Sequence, residues 1–206
     1  MKKTSVLIID DHAILRMGLT SLLNAKDDIE VVGDAANGEE GVARALKLRP
    51  DVAIVDLMMP GMDGVATTRR LLKEVLETTV LILTTFDTSD GITMALNAGA
   101  AGAIMKNCDF GELVSAIHAI AKGGRYVSPE VERILSTDPP TAPLSPRQTE
   151  ILHLIVRGLS NPDISRLLGI SLDTVKEHIE TLFLKIGAAN RTEAVTIAMR
   201  KHLLKS

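Results

Sequence analysis

Residues 51–64 read DVAIVDLMMPGMDG. Positions 52–55 are uniformly apolar, Asp56 follows, and Pro60, Gly61, Asp63 and Gly64 then force the chain to turn. A short apolar run bounded by turn residues reads as a strand buried on both faces, the kind found in parallel sheets. Asp56 then stands where the strand leaves the core, at the carboxyl edge of the sheet. Ligands of open α/β folds bind along that edge. Alone, Asp56 could equally begin an ordinary loop. The other strands decide between the two readings.

Apolar runs at 5–10, 29–33, 51–56, 79–84 and 102–106 alternate with helical patterns at 12–25, 38–48, 64–76, 88–99 and 109–122. Asn37 followed by Glu40 is a capping-box-like start for the second helix, and Gly99 and Gly123 stand where helices end. Five β–α units of this kind predict a doubly wound, five-stranded parallel α/β sheet with helices on both faces. The first strand ends in Asp10-Asp11, the third in Asp56, the fourth in Thr84 and the fifth in Lys106. In a parallel sheet these termini share one edge, so three carboxylates, a hydroxyl and an ammonium converge there.

Carboxylates held that close repel unless a cation neutralises them, and oxygen ligands with room for water suit Mg²⁺. One carboxylate can then act as nucleophile toward a phosphoryl group and form an acyl phosphate. Lys106 would pair with the phosphate oxygens and Thr84 would donate a hydrogen bond to them. Phosphoryl transfer needs little beyond positioning and charge stabilisation.

Composition sets bounds. Of 206 residues 46% are apolar, but only one Tyr and three Phe are aromatic, so aliphatic side chains and Met must fill the cores. Cys108 stands alone, which excludes a disulfide framework or a cysteine metal site and fits a reducing, cytoplasmic setting. The N-terminal apolar run is too short for a signal peptide, and no run is long enough to span a membrane. The net charge of −3 hides an asymmetry. Residues 1–143 carry 14 Lys and Arg against 20 Asp and Glu, hence −6, whereas 144–206 carry 9 against 6, hence +3. The halves therefore meet different partners, and the second tolerates nucleic acid.

Between them, 124–143 reads as a linker. GGRYVSPEVERI contains a short helix from about Pro129, capped by Ser128, and Pro139, Pro140 and Pro143 bar any further helix. The domains expected are 1–123, the linker, and 144–206. In the last, helix starts at Ser145-Pro146, Ser160-Asn161-Pro162, Ser171 and Asn190, with stops at Gly158, Gly169 and Gly187, predict four helices. The fourth is expected to reach about Leu204. The second and third, joined by LGIS, form a helix–turn–helix pattern.

The set Asp10, Asp11, Asp56, Pro60, Gly64, Thr84 and Lys106 resembles the receiver domain of two-component response regulators, a flavodoxin-like fold. The stretch from LSPRQTEIL through TVKEHI to NRTEAV resembles the LuxR-type DNA-binding domain. Together they resemble the NarL/FixJ subfamily. The resemblance implies a phosphorylation-regulated transcription regulator, not an enzyme beyond slow self-dephosphorylation. Asp56 would be the phospho-acceptor for a sensor histidine kinase. Mg²⁺ would be held by Asp11, Asp56 and the Met58 backbone carbonyl, with Asp10 acting partly through water. Thr84 and Lys106 would be the switch and phosphate-binding residues. The third helix of the second domain would enter the major groove of double-stranded DNA, with Thr174, Lys176, Glu177, Glu180 and Thr181 exposed and Val175, Ile179 and Leu182 facing the core. Lys176 could donate to guanine and Glu177 accept from cytosine. Thr174, Lys185 and Arg191 would meet phosphate, and His178 would be structural or phosphate-facing. A homodimer on paired half-sites is expected, with Ala194, Ile197 and Ala198 between DNA-binding domains and the first and fifth helices as a receiver pairing surface.

Three positions depart from the family pattern. Ala103 stands where many receivers carry an aromatic switch residue, which shifts the expected route to Thr84 and the loop 85–91. Asn107 replaces a common Pro. Gln148 replaces the usual Glu, keeping a capping role but losing an ion pair. Glu177 and Glu180 would face an anionic duplex, which predicts weak non-specific binding, strong salt sensitivity and dependence on dimerisation. Two other classes are weighed. An aspartate phosphatase needs a general-acid carboxylate two residues after its nucleophile, and Met58 occupies that place. A module signalling without phosphorylation would not need the acidic set.

Overall fold

A computed structural model of the protein describes residues 2–85, 89–137, 144–201 and 203–204, with the Arg200 side chain left out. The chain divides into two compact units, Met1–Asp138 and Pro139–Ser206.

The first unit alternates strands and helices: β1 (Thr4–Ile9), α1 (Ala13–Asn24), β2 (Ile29–Ala35), α2 (Gly38–Leu48), β3 (Val52–Asp56), α3 (Gly64–Glu74), β4 (Thr79–Thr84), α4 (Ser89–Asn97), β5 (Gly102–Met105), α5 (Phe110–Ala121), β6 (Tyr126–Val127) and α6 (Pro129–Thr137). All strands are parallel, in the order β2-β1-β3-β4-β5-β6. The sheet thus has six strands, not the five expected. Residues 126–137, read from sequence as linker, complete this unit. Tyr126 and Val127 pair with Gly102 and Ala103, and Val131 and Ile134 of α6 are buried in its core. The sequence reading missed β6 because two residues are too few to show a period. Pro139, Pro140 and Pro143 lie outside the described residues, as do positions 86–88 of the expected switch loop.

Strand side chains alternate between two cores, as the period of two demands. Leu7, Ile9, Ala53, Val55, Val80, Ile82, Ala103 and Met105 pack against α2, α3, α4 and α6. Val6, Ile8, Val52, Ile54, Leu81, Leu83 and Ile104 pack against α1 and α5. Every core-strand residue from Val6 to Ile9 and from Val52 to Val55 is buried, which explains the unbroken apolar runs.

At the amino end of the sheet, Asp51 ties β1 to β3. Its Oδ2 accepts from the Ser5 N–H at 2.8 Å and the Ser5 hydroxyl at 2.6 Å, while the Ser5 Oγ accepts from the Asp51 N–H at 2.9 Å. Burial pushes the Asp51 carboxyl up, but the hydrogen bonds from Ser5 and Lys2 outweigh it and hold the group below the ordinary carboxylate range. A depressed carboxylate stabilises the fold above its unfolded value and loses that contribution as pH falls through the folded one. Asp51→Ala is therefore expected to cost about 1–3 kcal/mol at neutral pH. The deficit should shrink on acidification, which urea unfolding at several pH values would measure.

The second unit contains α7 (Pro146–Val156), α8 (Asn161–Leu168), α9 (Leu172–Ile186) and α10 (Arg191–Arg200). Ser145, Ser160, Ser171 and Asn190 each cap a helix through the side chain, and Gly169 and Gly187 end α8 and α9 in the left-handed conformation at φ 63° and 73°. The core gathers Ile151, Leu152, Ile155, Ile164, Val175, Leu182 and Ala194. α10 stops at Arg200, short of the expected Leu204, because the chain turns there: the Leu203 N–H reaches back to the Ala198 carbonyl. Among the described residues no helix is long and apolar enough to cross a membrane.

Candidate phosphoryl-transfer site and DNA-binding helix

Two neighbouring strands, β1 and β3, connect to helices on opposite faces of the sheet, and this reversal opens a crevice beyond their carboxyl ends. The register places Ile9 beside Val55, so Asp10 and Asp56 emerge side by side. Both are buried, at 2% and 3% exposure. The chain can leave β3 so tightly because residue 64 is glycine. A Cβ there would sit 2.4 Å from the Asp56 carbonyl oxygen. Asp63 then caps α3 by accepting from the Ala66 N–H at 2.7 Å.

Lys106, one residue past β5, reaches into the crevice. Its Nζ lies 2.6 Å from Asp10 Oδ2 and 2.8 Å from Asp56 Oδ2, and its side chain is 7% exposed. The first contact is an ion pair without well-aligned hydrogen-bond geometry. Burial pulls the ammonium pKa down, but the two carboxylates outweigh this and leave it raised, so Lys106 is charged. Burial also pushes the Asp56 carboxyl above its ordinary value. The Asp10 charge adds to that push, and Lys106 offsets only part of it. The Met58 N–H lies 3.4 Å from Asp56 Oδ1. Thr84, fully buried, ends β4, and its carbonyl accepts from the Lys106 N–H at 2.7 Å.

The His12 ring, at the N-cap position of α1, neither caps the helix nor packs into the core. Its Nδ1 lies 2.8 Å from Asp11 Oδ1 and 3.2 Å from Asp10 Oδ1, while its backbone N–H donates to Asp10 Oδ1 at 2.8 Å. Potential ligand atoms of Asp10, Asp11, His12 and Asp56 lie within 4.8 Å of one another. Carboxylate oxygens in that number, with Asp11 open to water, fit a hard divalent cation such as Mg²⁺.

Cys108 is half-buried nearby. Burial, with the charges of Glu112 and Asp109, pushes its thiol up to about 11. Only the thiolate attacks electrophiles. Cys108 is therefore expected to react with iodoacetamide at neutral pH on the order of a hundred times more slowly in the folded protein than in urea, as mass spectrometry over time would show.

In the second unit, α9 exposes Lys176, Glu177, Glu180, Thr181 and Lys185, and Val175, Ile179 and Leu182 are buried as expected. Thr174 and His178 are half-buried, and the Thr174 hydroxyl lies 2.8 Å from the capping Ser171 hydroxyl. Lys176 Nζ meets Asp173 at 3.0 Å. Gln148 is itself buried. Its Oε1 accepts from Lys185 Nζ at 2.9 Å and from the Ser145 N–H at 3.0 Å, and its Nε2 reaches Thr181 Oγ1 at 3.4 Å. Gln148 thus links α7 to α9 besides capping.

Two expectations fail here. Arg191 does not present itself for phosphate. Its guanidinium turns inward to the Leu159 and Ile155 carbonyls and to Asn161 Oδ1, pinning the start of α10 to the α7–α8 turn. Ala194, Ile197 and Ala198 do not form a free pairing face. They are buried in the domain's own core, against α7 and α9. An amphipathic pattern cannot say which surface covers its apolar stripe, and here the covering is intramolecular.

Residues 6–118 match the response regulator receiver domain, and residues 142–198 match the luxR family of bacterial regulatory proteins. The chain is a response regulator of the NarL/FixJ subfamily. This response regulator is 38% identical to the transcriptional regulatory protein LiaR of Bacillus subtilis (strain 168), across 97% of this chain and 98% of that protein. It is 35% identical to the oxygen regulatory protein NreC of Staphylococcus carnosus (strain TM300), across 97% and 98%. Among solved structures, the response regulator ChrA of a heme-sensing two-component system matches with 38% identity and a TM-score of 0.61, covering 99% of this chain and 100% of that one. RcsB in a DNA complex shares the fold, with a TM-score of 0.73 at 24% identity, covering 97% and 99%. With these two domains, the response regulator is a DNA-binding transcription regulator of a two-component system.

Proposed function

We propose that a sensor histidine kinase transfers a phosphoryl group to Asp56, that Mg²⁺ is required, and that the modified protein binds paired promoter half-sites as a homodimer. The observation that carries this reading is the buried Asp56–Lys106–Asp10 cluster at the sheet's switch point. Asp10, Asp11, Asp56 and the Met58 carbonyl would hold the metal, which supplies charge neutralisation for the incoming phosphoryl oxygens. Asp56 is the nucleophile, Lys106 pairs with the transferred group, and the Thr84 hydroxyl follows it. Met58 stands where a phosphatase would need its general acid, so turnover is limited to slow self-dephosphorylation.

On DNA, Lys176, Glu177 and Glu180 of α9 face the bases, with Thr174, His178, Thr181 and Lys185 beside them. Lys176 must exchange Asp173 for its DNA partner, and two glutamates oppose the phosphates, so affinity depends on two subunits binding together. Incubation with a small phosphodonor and Mg²⁺ tests the whole reading: mass should gain one phosphoryl group, the solution mass should double, and promoter DNA should be retained. Absence of phosphoryl uptake overturns it. Lys176→Ala is expected to relax preference at one base pair by about 1–3 kcal/mol. A uniform loss across all sequences would instead make Lys176 a phosphate contact.

A further inference from the structure

Arg16 was not singled out by any motif, yet it touches the acidic site. It lies in α1, and its side chain is only 14% exposed. Its Nη1 donates to the Asp10 backbone carbonyl at 2.7 Å. Its Nε meets Asp34 Oδ2 at 2.8 Å, near the end of β2. The Asp10 N–H donates to the Ala35 carbonyl at 3.1 Å. The peptide groups on both sides of Asp10 are therefore tied to β2, one directly and one through the Arg16–Asp34 pair. Beyond this point β1 has no further ladder to hold it, because Asp10 and Asp11 have already left the strand.

We infer that Arg16, oriented by Asp34, is a positioning residue that fixes the main chain of Asp10 and Asp11 so that their carboxylates converge on one cation. This rests on the reading of those two residues as Mg²⁺ ligands. Groups that orient metal ligands commonly carry a 10–100-fold share of affinity. Electrostatics alone argues the other way. Removing a cation near a metal site, and leaving Asp34 unpaired, favours Mg²⁺. The sign of the effect thus separates positioning from charge.

The experiment compares wild type, Arg16→Met, the charge-neutral pair Arg16→Met with Asp34→Asn, and Arg16→Lys. Asp51→Asn, just before β3 and bonded to Ser5 at the opposite end of the sheet, serves as a control for stability alone. Two quantities are read: the Mg²⁺ concentration giving half the maximal rate of phosphorylation by a small donor, and the Mg²⁺ dependence of thermal unfolding without donor. The half-saturating Mg²⁺ concentration should rise about tenfold in Arg16→Met and in the pair, with partial recovery in Arg16→Lys. Asp51→Asn should melt lower yet keep the wild-type Mg²⁺ dependence. Unchanged or tighter Mg²⁺ binding in the charge-neutral pair overturns the inference, as does an equal shift in Asp51→Asn. If wild type itself shows no Mg²⁺-dependent phosphorylation or stabilisation, the reading of the site fails instead.

Discussion

Asp56→Asn is expected to take up no phosphoryl group under conditions that fully modify wild type, and to melt at a higher temperature than wild type in metal-free buffer at neutral pH. The first result follows from Asp56 as the proposed nucleophile. Asp10 shares the burial of Asp56 and its ion pair with Lys106, but Asp10 Oδ1 is already engaged by the His12 N–H. The second follows from the burial of Asp56. A carboxyl whose pKa is raised on folding prefers to be protonated there. At pH above its unfolded value it must ionise, and the folded state bears the cost. The cost is absent below the unfolded value and complete above the folded one. An amide of the same shape removes it while still offering an oxygen to Lys106. The gap in melting temperature between Asp56→Asn and wild type should close as pH falls toward the ordinary carboxylate range. Melting curves that stay apart at low pH would assign the gain to packing rather than charge.

Lys106→Met should have the opposite effect on stability. It leaves Asp10 and Asp56 buried together with no internal cation, and a buried charge stripped of its partner typically costs about 3–5 kcal/mol. The expected drop in melting temperature is on the order of 10 °C. Mg²⁺ should then stabilise the variant more than wild type, because the metal replaces the lost ammonium instead of competing with it. Phosphorylation should slow as well, since the methionine offers nothing to the phosphoryl oxygens. Calorimetry with and without Mg²⁺ measures this. An equal Mg²⁺ effect in both proteins would mean that Lys106 does not hold the place of the cation.

Much of this was legible in the sequence because burial on both faces leaves a signature that needs no partner information. The runs at 52–55 and 79–84 could hardly be anything but central strands, and once four strand termini were aligned on one edge, Asp10, Asp56, Thr84 and Lys106 met by topology alone. Side-chain contacts that cross between elements were not legible. Arg16 reads as an ordinary helix cation, and only the fold brings Asp34 and the Asp10 carbonyl to it. Arg191 and the Ala194–Ile197–Ala198 face were misplaced for a related reason. A residue type announces its chemistry, but whether that chemistry is spent inside the domain or offered outside depends on which neighbour arrives first. The contacts of His12 had a local signal: a histidine directly after two aspartates has little choice of partner.

Strand β5 is four residues long, yet it carries a contact at each end. Just past one end, Lys106 grips the two aspartates. Nearer the other, Ala103 accepts the Ser128 N–H, and Ser128 opens α6, the last described helix before the chain passes to the second unit. The span between these grips is about 10 Å of extended backbone. A methyl group at position 103 cannot act as a pointer, but the backbone beneath it joins the acidic cluster to the start of α6 within one strand.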